Sequence, residues 1–559
     1  MASTASLRSR RSAAQLHALE GVERHIRVFD PNCRRKYLVD FSEAFRSYES
    51  VVEFGELPKM LSETDLLLVG DYHALPASQR FAAGLIGQLS AATGRPLVIG
   101  LETIFSRDQH ILEEWSAGEI EARELRQRIR FDLDWGYDWD VFYELLESAR
   151  KHSLGIYGLD CMPREDLRKI GARDRHAADK IAEIRQQHPE ALILVVFGES
   201  HLAPNHLPAE LKKRLPEERQ RVVLQNVDAL YWHAAGESCE RVEAVRVNED
   251  VVCVFNATPL EKYENYRLYL DRWSRGGVDE PDLGPTIYNL INSLLEFLGI
   301  HLYSPHNSTQ PRFLVDMLPE VYSHHTNATL KRLLGRKGIT GRERKAFRQR
   351  VEEQGSAYLP QANTFYVRDF QMMHAAEEAA RFLHHACRGL PSRVNGHLPR
   401  PKAGEDLFYA RAVEHTLAYF GSRVLYPARP AVRESDLNDL YDETREDIKQ
   451  QTSFEYAEFG ELLDLVLLHR DFERKSRRRV VPKGVQQGWE YRGNKLEYVT
   501  RQLGNLLGSD LYDAYLEGRV TRRFLKGAFL SHTDQPGMPR ETYFDLVRKV
   551  RGKRVVSSQ

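Results

Sequence analysis

Apolar runs and amphipathic stretches alternate through the first half of the chain. Short, continuous apolar runs that end at glycine or a polar residue are typical of strands buried on both faces of a sheet. The stretches between them repeat apolar side chains every three or four residues, as at Phe81, Leu85 and Leu89, and therefore predict helices. This alternation favours βαβ units and predicts an α/β domain with a mostly parallel sheet flanked by helices. The predicted strands are 65–70, 96–102, 154–160, 191–198, 221–227 and 251–256.

The pattern changes beyond residue 262. A stretch rich in glycine, aspartate and proline, residues 269–286, predicts a linker or a domain edge. Long amphipathic segments follow it and strand-like runs are few, which favours a mainly α-helical C-terminal domain. A chain of 559 residues also exceeds what one hydrophobic core usually serves. We therefore predict an N-terminal arm (1–50), an α/β domain (51–262) and a mostly helical domain (280–559) whose role the sequence does not indicate.

Composition and charge narrow the partners and the compartment. The formal net charge is -1, and the two local basic segments, 331–350 and 473–484, lack the interleaved aromatic residues of a nucleic-acid platform. Nucleic-acid binding is therefore not predicted. The N-terminus shows no apolar leader, no segment is long and apolar enough to span a membrane, and the five cysteines form no C-x-x-C pair. These features predict a cytoplasmic protein, and self-association into a homo-oligomer stays open.

Polar residues follow the predicted strands at the point where each strand ends. The spacing Gly-x-x-His occurs twice, as GDYH (70–73) after the first strand and GESH (198–201) after the fourth. Glu102 ends the second strand and Asp160 ends the third. Because the carboxyl ends of parallel strands meet at one edge of a sheet, where ligands bind, we expect these residues to lie close together.

Two imidazoles and one carboxylate suit a divalent metal ion such as Mn, Co, Fe or Zn. Three protein ligands, here His73, Glu102 and His201, leave a position open for water or substrate. A bound ion would lower the pKa of its water, and Glu102 or Glu199 would accept the proton. The glycine three residues before each histidine would allow a tight backbone turn. The alternative is that both histidines are ordinary loop residues.

The sequence resembles the Tiki superfamily in these motifs. The superfamily includes ChaN-like haem-binding uptake proteins, TraB and Tiki proteases, and erythromycin esterases. Its signature is similar to GDYH (70–73) and GESH (198–201) with the glutamate of GLETIF (100–105) between them. The ChaN-like branch is the most similar, because ETIFSRDQHILEEWSAGEI (102–120) and RDRHAADKI (173–181) also match it in order and spacing. The resemblance covers residues 61–235 and none of the helical half.

The resemblance implies roles for particular residues. His73, His201 and Glu102 match residues that bind a divalent metal or activate water in the protease and esterase branches. In the ChaN-like branch the implied ligand is haem or iron. Arg173 and Asp174 match an Arg-Asp pair that usually precedes Met-Ala, and this chain departs from the pattern because Ala177-Ala178 stands there.

Three neighbouring residues have two interpretations each. Arg173 and Glu102 are the candidate catalytic residues. Arg173 holds a developing oxyanion or a ligand carboxylate, or else it forms a structural salt bridge. The candidate cofactor-binding residues are Tyr72, His73 and His201. Tyr72 ligates haem iron as a phenolate, or else it packs against the sheet edge. Asp71 orients a histidine ring, or else caps the following helix.

One predicted helix of the second half carries further titratable residues. His374, Glu378 and His385 fall on one face, and Glu377 and His384 lie beside them. A second ion or a haem contact is one interpretation. The chain lacks a Glu-x-x-His pair of the di-iron bundle type there, which favours a polar or half-buried helix face.

Three functions stay open. The chain is a carrier of haem or iron, a metal-dependent hydrolase (protease or esterase) with a small-molecule or peptide substrate, or a non-catalytic interaction protein whose helical half binds a partner. The leader that an exported uptake protein needs is not seen, which counts against the first of these. Fold alone does not decide among them.

Overall fold

The structure is a computed structural model with two compact units, Val22–Gly276 and Met1–Gly21 with Gly277–Gln559. It describes residues 4–30, 36–161, 170–238, 240–276, 281–301, 317–323, 327–336, 338–339, 341–387, 404–440, 454–475, 481–531, 533 and 535–552. The first unit is α/β and the second is mainly helical, which confirms the predicted fold class. Cys33, Cys239 and parts of both basic segments lie outside the described residues.

An eight-stranded sheet forms the centre of the α/β unit. Its strands are β1 Ser50–Val52, β2 Leu66–Asp71, β3 Leu97–Phe105, β4 Gly155–Asp160, β5 Leu192–Gly198, β6 Gln220–Gln225, β7 Ala244–Arg246 and β8 Val251–Val254. They lie in the order β1-β7-β8-β6-β2-β5-β3-β4. The strands from β8 to β4 pair in parallel, whereas β7 pairs antiparallel with both β8 and β1. The six predicted strands are therefore the six parallel ones.

Two apolar cores cover the two faces of this sheet. Side chains of β2 alternate between them, with Leu67 and Val69 in one core and Leu66 and Leu68 in the other. Because both faces are buried, the strand is apolar throughout rather than alternating. The helices of this unit are Lys36–Ala44, Leu57–Ser62, Pro76–Ala92, Gln109–Ser116, Ala122–Arg128, Phe131–Asp134, Trp139–His152, Ile170–Gln187, Leu207–Arg214, Asp228–Ala234 and Pro259–Ser274, and the helix Thr4–Phe29 runs through both units.

The second unit combines helices with a small sheet. Its three strands are β9 Glu320–Ser323, β10 Ser356–Leu359 and β11 Thr364–Val367, in the order β10-β11-β9. Within the described ranges, no helix is long and apolar enough to cross a membrane. The helices are Gly284–Leu298, Asn327–Arg336, Gly341–Gln354, Met372–Ala386, Gly404–Leu425, Glu434–Asp439, Tyr456–Arg474, Lys483–Gly488, Asn494–Leu516, Arg522–Phe529 and Met538–Arg551.

The stretch 269–286, predicted to be a linker, begins inside a helix. The helix Pro259–Ser274 starts at Thr258, whose side chain accepts a hydrogen bond from the Glu261 N–H, and it continues to Ser274. No glycine or proline interrupts it before Gly276. The linker interpretation was therefore wrong for residues 269–274, because acidic and basic residues at an exposed helix end have the composition of a loop. The alternative interpretation, a domain edge, stays a prediction.

Asp65, directly before β2, joins three segments of the α/β unit. Its carboxylate accepts hydrogen bonds from Arg95 at 2.9 Å and from the backbone and side chain of Arg219, each at 3.1 Å. Burial raises the pKa of Asp65, but the bonds from Arg219 and Arg95 outweigh it and lower the pKa from 3.8 to about 2.

The lowered pKa predicts an acid-dependent contribution to stability. The pKa of Asp65 is lower in the folded protein than in the unfolded chain. The carboxylate therefore stabilises the fold above pH 3.8, and this contribution is lost as the pH falls towards 2. We expect the free energy of unfolding, measured with denaturant, to fall more steeply over this range in the wild type than in Asp65→Asn. Parallel pH profiles of the two proteins would contradict this assignment.

Candidate functional site

Three adjacent strands bring the predicted site residues to one edge of the sheet. β2, β5 and β3 are neighbours and run parallel, so their carboxyl ends point the same way. His73 follows the end of β2, and His201 lies in the short helical turn Glu199–Leu202 directly after β5. Glu102 lies in β3, where the pairing with β4 shifts register between Leu101 and Phe105. Such irregularities re-aim side chains, which is how a strand residue faces this edge.

Glu102 lies between the two histidines. His73 Nε2 is 3.7 Å from Glu102 Oε2, and His201 Nε2 is 3.9 Å from Glu102 Oε1. The side chains of Glu102 and His201 are each 4% exposed, whereas that of His73 is 24% exposed. The structure therefore brings His73, Glu102 and His201 together, and solvent reaches them from the side of His73.

Each histidine ring is oriented by its own carboxylate. His73 Nδ1 lies 2.8 Å from Asp71 Oδ2, and His201 Nδ1 lies 2.5 Å from Asp174 Oδ1. A proton on Nδ1 donates to the acid in each case and leaves Nε2 facing Glu102. Asp71 thus orients a ring rather than capping the next helix, which begins after Leu75 without a side-chain cap.

Arg173 holds Glu102 together with Asp160. Its guanidinium donates to Glu102 Oε1 at 2.6 Å and to the two oxygens of Asp160 at 2.9 and 3.0 Å. Burial lowers the pKa of Arg173, but Glu102 and Asp160 outweigh it and raise the pKa above its usual range. Of the two interpretations of Arg173, the observed geometry is that of a structural salt bridge.

The histidines and Arg173 keep Glu102 ionised. Burial raises the pKa of Glu102, but His73, Arg173, His201 and the Gly198 N–H together lower it to about 2. Burial also lowers the pKa of His73, while Glu102 and the hydrogen bond to Asp71 raise it above its usual range. The site therefore attracts positive charge into the space between the rings.

Gly198 is needed for space and for its N–H group. The N–H donates to Glu102 Oε2 at 2.5 Å. A Cβ on Gly198 would lie 3.0 Å from Glu102 Oε2 and 3.2 Å from His73 Nε2. Its φ of −52° is open to any residue, so the predicted tight turn is wrong as the reason for this glycine. Gly70 likewise does not have a positive φ.

Tyr72 contacts different residues from those that contact its neighbour His73. Its ring packs edge-on against Tyr266, with centroids 6.3 Å apart, and Lys262 Nζ lies 4.5 Å from the ring centroid. Burial, and then Glu199, raise the pKa of Tyr72 well above its usual range. Tyr72 is therefore a neutral phenol among these partners, and its assignment as a haem ligand stays a prediction.

Glu199 and Lys262 form a second charged group beside the site. Lys262 Nζ donates to Glu199 Oε1 at 2.8 Å and to the Asn226 carbonyl at 3.3 Å. Burial raises the pKa of Glu199, and the nearby carboxylates Asp228 and Asp71 also raise it. These effects outweigh Lys262, which lowers the pKa, so the pKa of Glu199 lies above its usual value. Glu199 is a proton acceptor predicted from the sequence, whereas Lys262 is not predicted from it.

A group of aromatic rings that was not predicted lies beside His73. It consists of Trp135, Tyr137, Tyr269 and Trp273 and is called the aromatic wall. The His73 ring lies 4.4 Å from Trp135 and 5.6 Å from Tyr137, and Tyr137 lies 5.1 Å from Tyr269 and 5.3 Å from Trp273. The helix Pro259–Ser274 supplies the last two rings. Its aromatic residues recur every three or four positions, at 263, 266, 269 and 273, which is the sequence signal that would have found them.

The titratable residues of the helix Met372–Ala386 are of two kinds: His374 and His385 are half-buried, as predicted, whereas Glu377, Glu378 and His384 are fully buried. Glu377, Glu378 and His384 are at most 1% exposed. Arg381 donates to Glu378 at 3.1 Å and to Glu414 at 2.7 Å, and Arg429 pairs with Glu377 at 2.7 Å. The helix has this composition because its charges compensate one another inside the unit. Across all described residues, no group of three or more His, Cys, Asp or Glu is already spaced to hold a metal ion.

One family model and two solved structures are similar to parts of this chain. Residues 57–194 match a family model described as haem-binding uptake, Tiki superfamily, ChaN. A solved structure of ChaN of Campylobacter jejuni with cofacial heme shares 16% identity and a TM-score of 0.26, and the match covers 31% of this chain and 86% of that one. The type III effector HopBA1 shares 13% identity and a TM-score of 0.28, with 38% and 96% covered.

No curated protein matches the chain. The helical half lies outside the family match. The predicted resemblance is thereby confirmed over residues 57–194 of the α/β unit, which match the family model of haem-binding uptake proteins of the ChaN type in the Tiki superfamily.

Proposed function

We propose that the α/β unit binds a divalent first-row metal ion through His73, Glu102 and His201. The observation that carries this proposal is that both rings are fixed by a carboxylate on Nδ1 while both Nε2 atoms face one carboxylate, Glu102. This is the arrangement of metal-binding histidines, whose second nitrogen donates to an acid that sets ring orientation.

The charge of the site also favours a cation. Asp71, Glu102, Asp160 and Asp174 are buried, and Arg173 is the buried basic partner of two of them. With neutral imidazoles, these four carboxylates and Arg173 have a net charge of −3. Two protons on the imidazoles, or one divalent ion bound by them, would reduce it to −1, and buried charges are costly unless compensated.

The distances agree with a site that closes slightly on an ion. Ligand atoms that share one ion at about 2.1 Å lie roughly 3.0–3.4 Å apart. The observed Nε2 to carboxylate separations of 3.7 and 3.9 Å exceed this by about half an ångström. A shift of that size would bring each Nε2 atom within this range of the Glu102 carboxylate.

A bound ion would supply a Lewis acid and an acidified water molecule. The chain's own residues would hold the ligands in place: Asp71 and Asp174 orient the rings, and Arg173 and the Gly198 N–H keep Glu102 ionised. Since Arg173 donates to Glu102 and Asp160, we assign it a positioning role. Hydrolysis of a peptide or ester is the reaction class that such a site would support, and no bond to be cleaved is assigned.

Haem is the second candidate ligand, because the matched family is described as haem-binding. His73 is the exposed histidine and lies against Trp135, so a haem would bind at the rim formed by these two residues. His201 and Glu102 are too enclosed to meet a haem face. Haem binding would therefore depend on His73 and be insensitive to His201.

One experiment separates the two ligands. The metal content of the purified protein and its Soret change on titration with hemin are measured for the wild type, His73→Ala and His201→Ala. If a metal ion is bound as proposed, both variants lose stoichiometric metal. If haem is the ligand, His73→Ala loses the Soret change and His201→Ala keeps it.

His110→Ala is the matched control, because His110 is exposed and lies outside the site. It should behave as the wild type in both measurements. Metal content that is unaffected by both site variants would overturn the metal proposal, and a hemin titration without saturation would overturn the haem candidate.

A further inference from the structure

Asp174 contacts two histidines, one through each oxygen of its carboxylate. Its Oδ1 lies 2.5 Å from Nδ1 of the proposed ligand His201, and its Oδ2 lies 3.3 Å from His206 Nδ1. The other nitrogen of His206, Nε2, is 3.6 Å from Asp40 Oδ2 and makes no hydrogen bond within the described part of the chain. Asp174 is therefore the hydrogen-bond partner of the His206 ring, and a proton on Nδ1 donates to it.

The other histidine of the site has the same arrangement. Asp71 Oδ2 lies 2.8 Å from His73 Nδ1, and Asp71 Oδ1 accepts a hydrogen bond from Gln79 Nε2 at 2.5 Å. Each of the two carboxylates thus fixes a ligand ring with one oxygen and accepts from a further side chain, Gln79 or His206, with the other. A carboxylate held at both oxygens cannot rotate away from its ring, and a buried oxygen that loses its donor is costly.

Backbone and core contacts hold both donors in place. The His206 N–H donates to the Ala203 carbonyl at 2.9 Å, and the next residue, Leu207, packs in an apolar core. Gln79 lies in the helix Pro76–Ala92, which is anchored by its own apolar side chains. We therefore expect either side chain to be replaceable without loss of the fold. His206 also lies outside residues 57–194, so the family match assigns it no role.

We infer that Gln79 and His206 are positioning residues of the metal site, each holding the carboxylate that fixes one ligand ring. The inference rests on the proposed function, because the effect it assigns is on the affinity for a metal ion. Replacing a residue that contacts a metal ligand directly costs about 10- to 100-fold in metal affinity. Gln79 and His206 act one contact further out, so the lower end of this range, about tenfold, is expected for each.

Binding of Co²⁺ to the metal-free full chain tests this inference. The visible absorption of bound Co²⁺ depends on the geometry of its ligands, and its growth as the ion is added gives the affinity. Gln79→Leu and His206→Leu should each bind Co²⁺ about tenfold more weakly than the wild type and change its spectrum. His206→Asn keeps an N–H donor near the position of Nδ1, so it should recover most of the affinity. A merely structural role would lower the free energy of unfolding and leave the spectrum unchanged.

His188→Leu is the matched control. His188 is also a half-buried histidine of this unit, but its ring contacts the Tyr157 hydroxyl at 2.7 Å rather than a carboxylate that orients a ligand. This variant should bind Co²⁺ as the wild type does. If one of the two test variants with leucine does not fold, the other carries the test.

Two outcomes overturn the inference and leave the metal proposal standing. In the first, the wild type binds Co²⁺ and the leucine variants bind it equally tightly with the same spectrum. In the second, His206→Asn binds Co²⁺ no better than His206→Leu, so the N–H donor is not what matters. A wild type that binds no Co²⁺ would overturn the metal proposal and this inference together.

Discussion

Alanine in place of Gly198 is expected to reduce the affinity of the site for a divalent ion by about 100-fold while the α/β unit stays folded. The added Cβ would lie 3.0 Å from Glu102 Oε2 and 3.2 Å from His73 Nε2, so it separates two of the three proposed ligands. A φ of −52° is compatible with alanine, so the backbone itself is not strained. Metal affinity by competition with a chelating dye, together with circular dichroism, checks both parts of this result.

Gly84→Ala is the control for this substitution. Gly84 lies in the helix Pro76–Ala92, and nothing within 4 Å would meet its Cβ. Alanine is the better helix former, so this variant should be as stable as the wild type or slightly more stable. If Gly198→Ala bound metal as tightly as Gly84→Ala, the ligands would not be His73 and Glu102.

Replacing Arg173 with methionine is expected to destabilise the α/β unit by about 3–5 kcal/mol. The substitution keeps most of the side-chain volume but leaves Glu102 and Asp160, which are 3% and 0% exposed, without their shared guanidinium. A buried carboxylate that loses its partner costs far more than an exposed ion pair contributes. The free energy of unfolding from denaturant titration measures the effect.

Arg175→Met serves as the control because Arg175 lies two residues along the same helix and is exposed. Its effect should stay within about 0.5 kcal/mol. A loss below about 1 kcal/mol for Arg173→Met would show that Glu102 and Asp160 find other compensation, and it would remove the basis for the charge argument. Added Mn²⁺ or Zn²⁺ should recover part of the lost stability, because an ion that binds the folded state stabilises it.

The parallel sheet and the edge at which His73, Glu102 and His201 meet could be predicted from the sequence because they depend on one-dimensional patterns. Apolar runs of strand length predicted the parallel strands, and the rule that strand ends share an edge placed His73, Glu102 and His201 together. Topology made this possible, since β2, β5 and β3 are neighbours although β3 precedes β5 in the chain.

What the sequence did not predict depends on contacts between distant segments. The need for Gly198 arises from the close approach of Glu102 and His73, so a backbone argument gave the wrong reason. Asp71 had two interpretations of equal local plausibility, and the position of the His73 ring decides between them. Lys262 could not be connected with Glu199, because the helix that carries it was divided between a domain end and a linker.

The burial of charged residues in the helical unit also depends on contacts between distant segments and could not be predicted from the sequence. A helix with Glu377, Glu378 and Arg381 has the composition of a solvated face. Its burial follows from partners on other segments, Glu414 and Arg429, that no helical periodicity reveals. Charge alone therefore does not predict exposure when compensating charges come from elsewhere in the fold.

The most direct test of the central claim is crystallography with anomalous scattering at the absorption edge of a bound Mn or Zn ion. The account predicts one strong peak within about 2.0–2.3 Å of His73 Nε2, His201 Nε2 and a Glu102 oxygen. Protein grown with the ion at millimolar concentration that shows no peak there, or a peak on other residues, would contradict it.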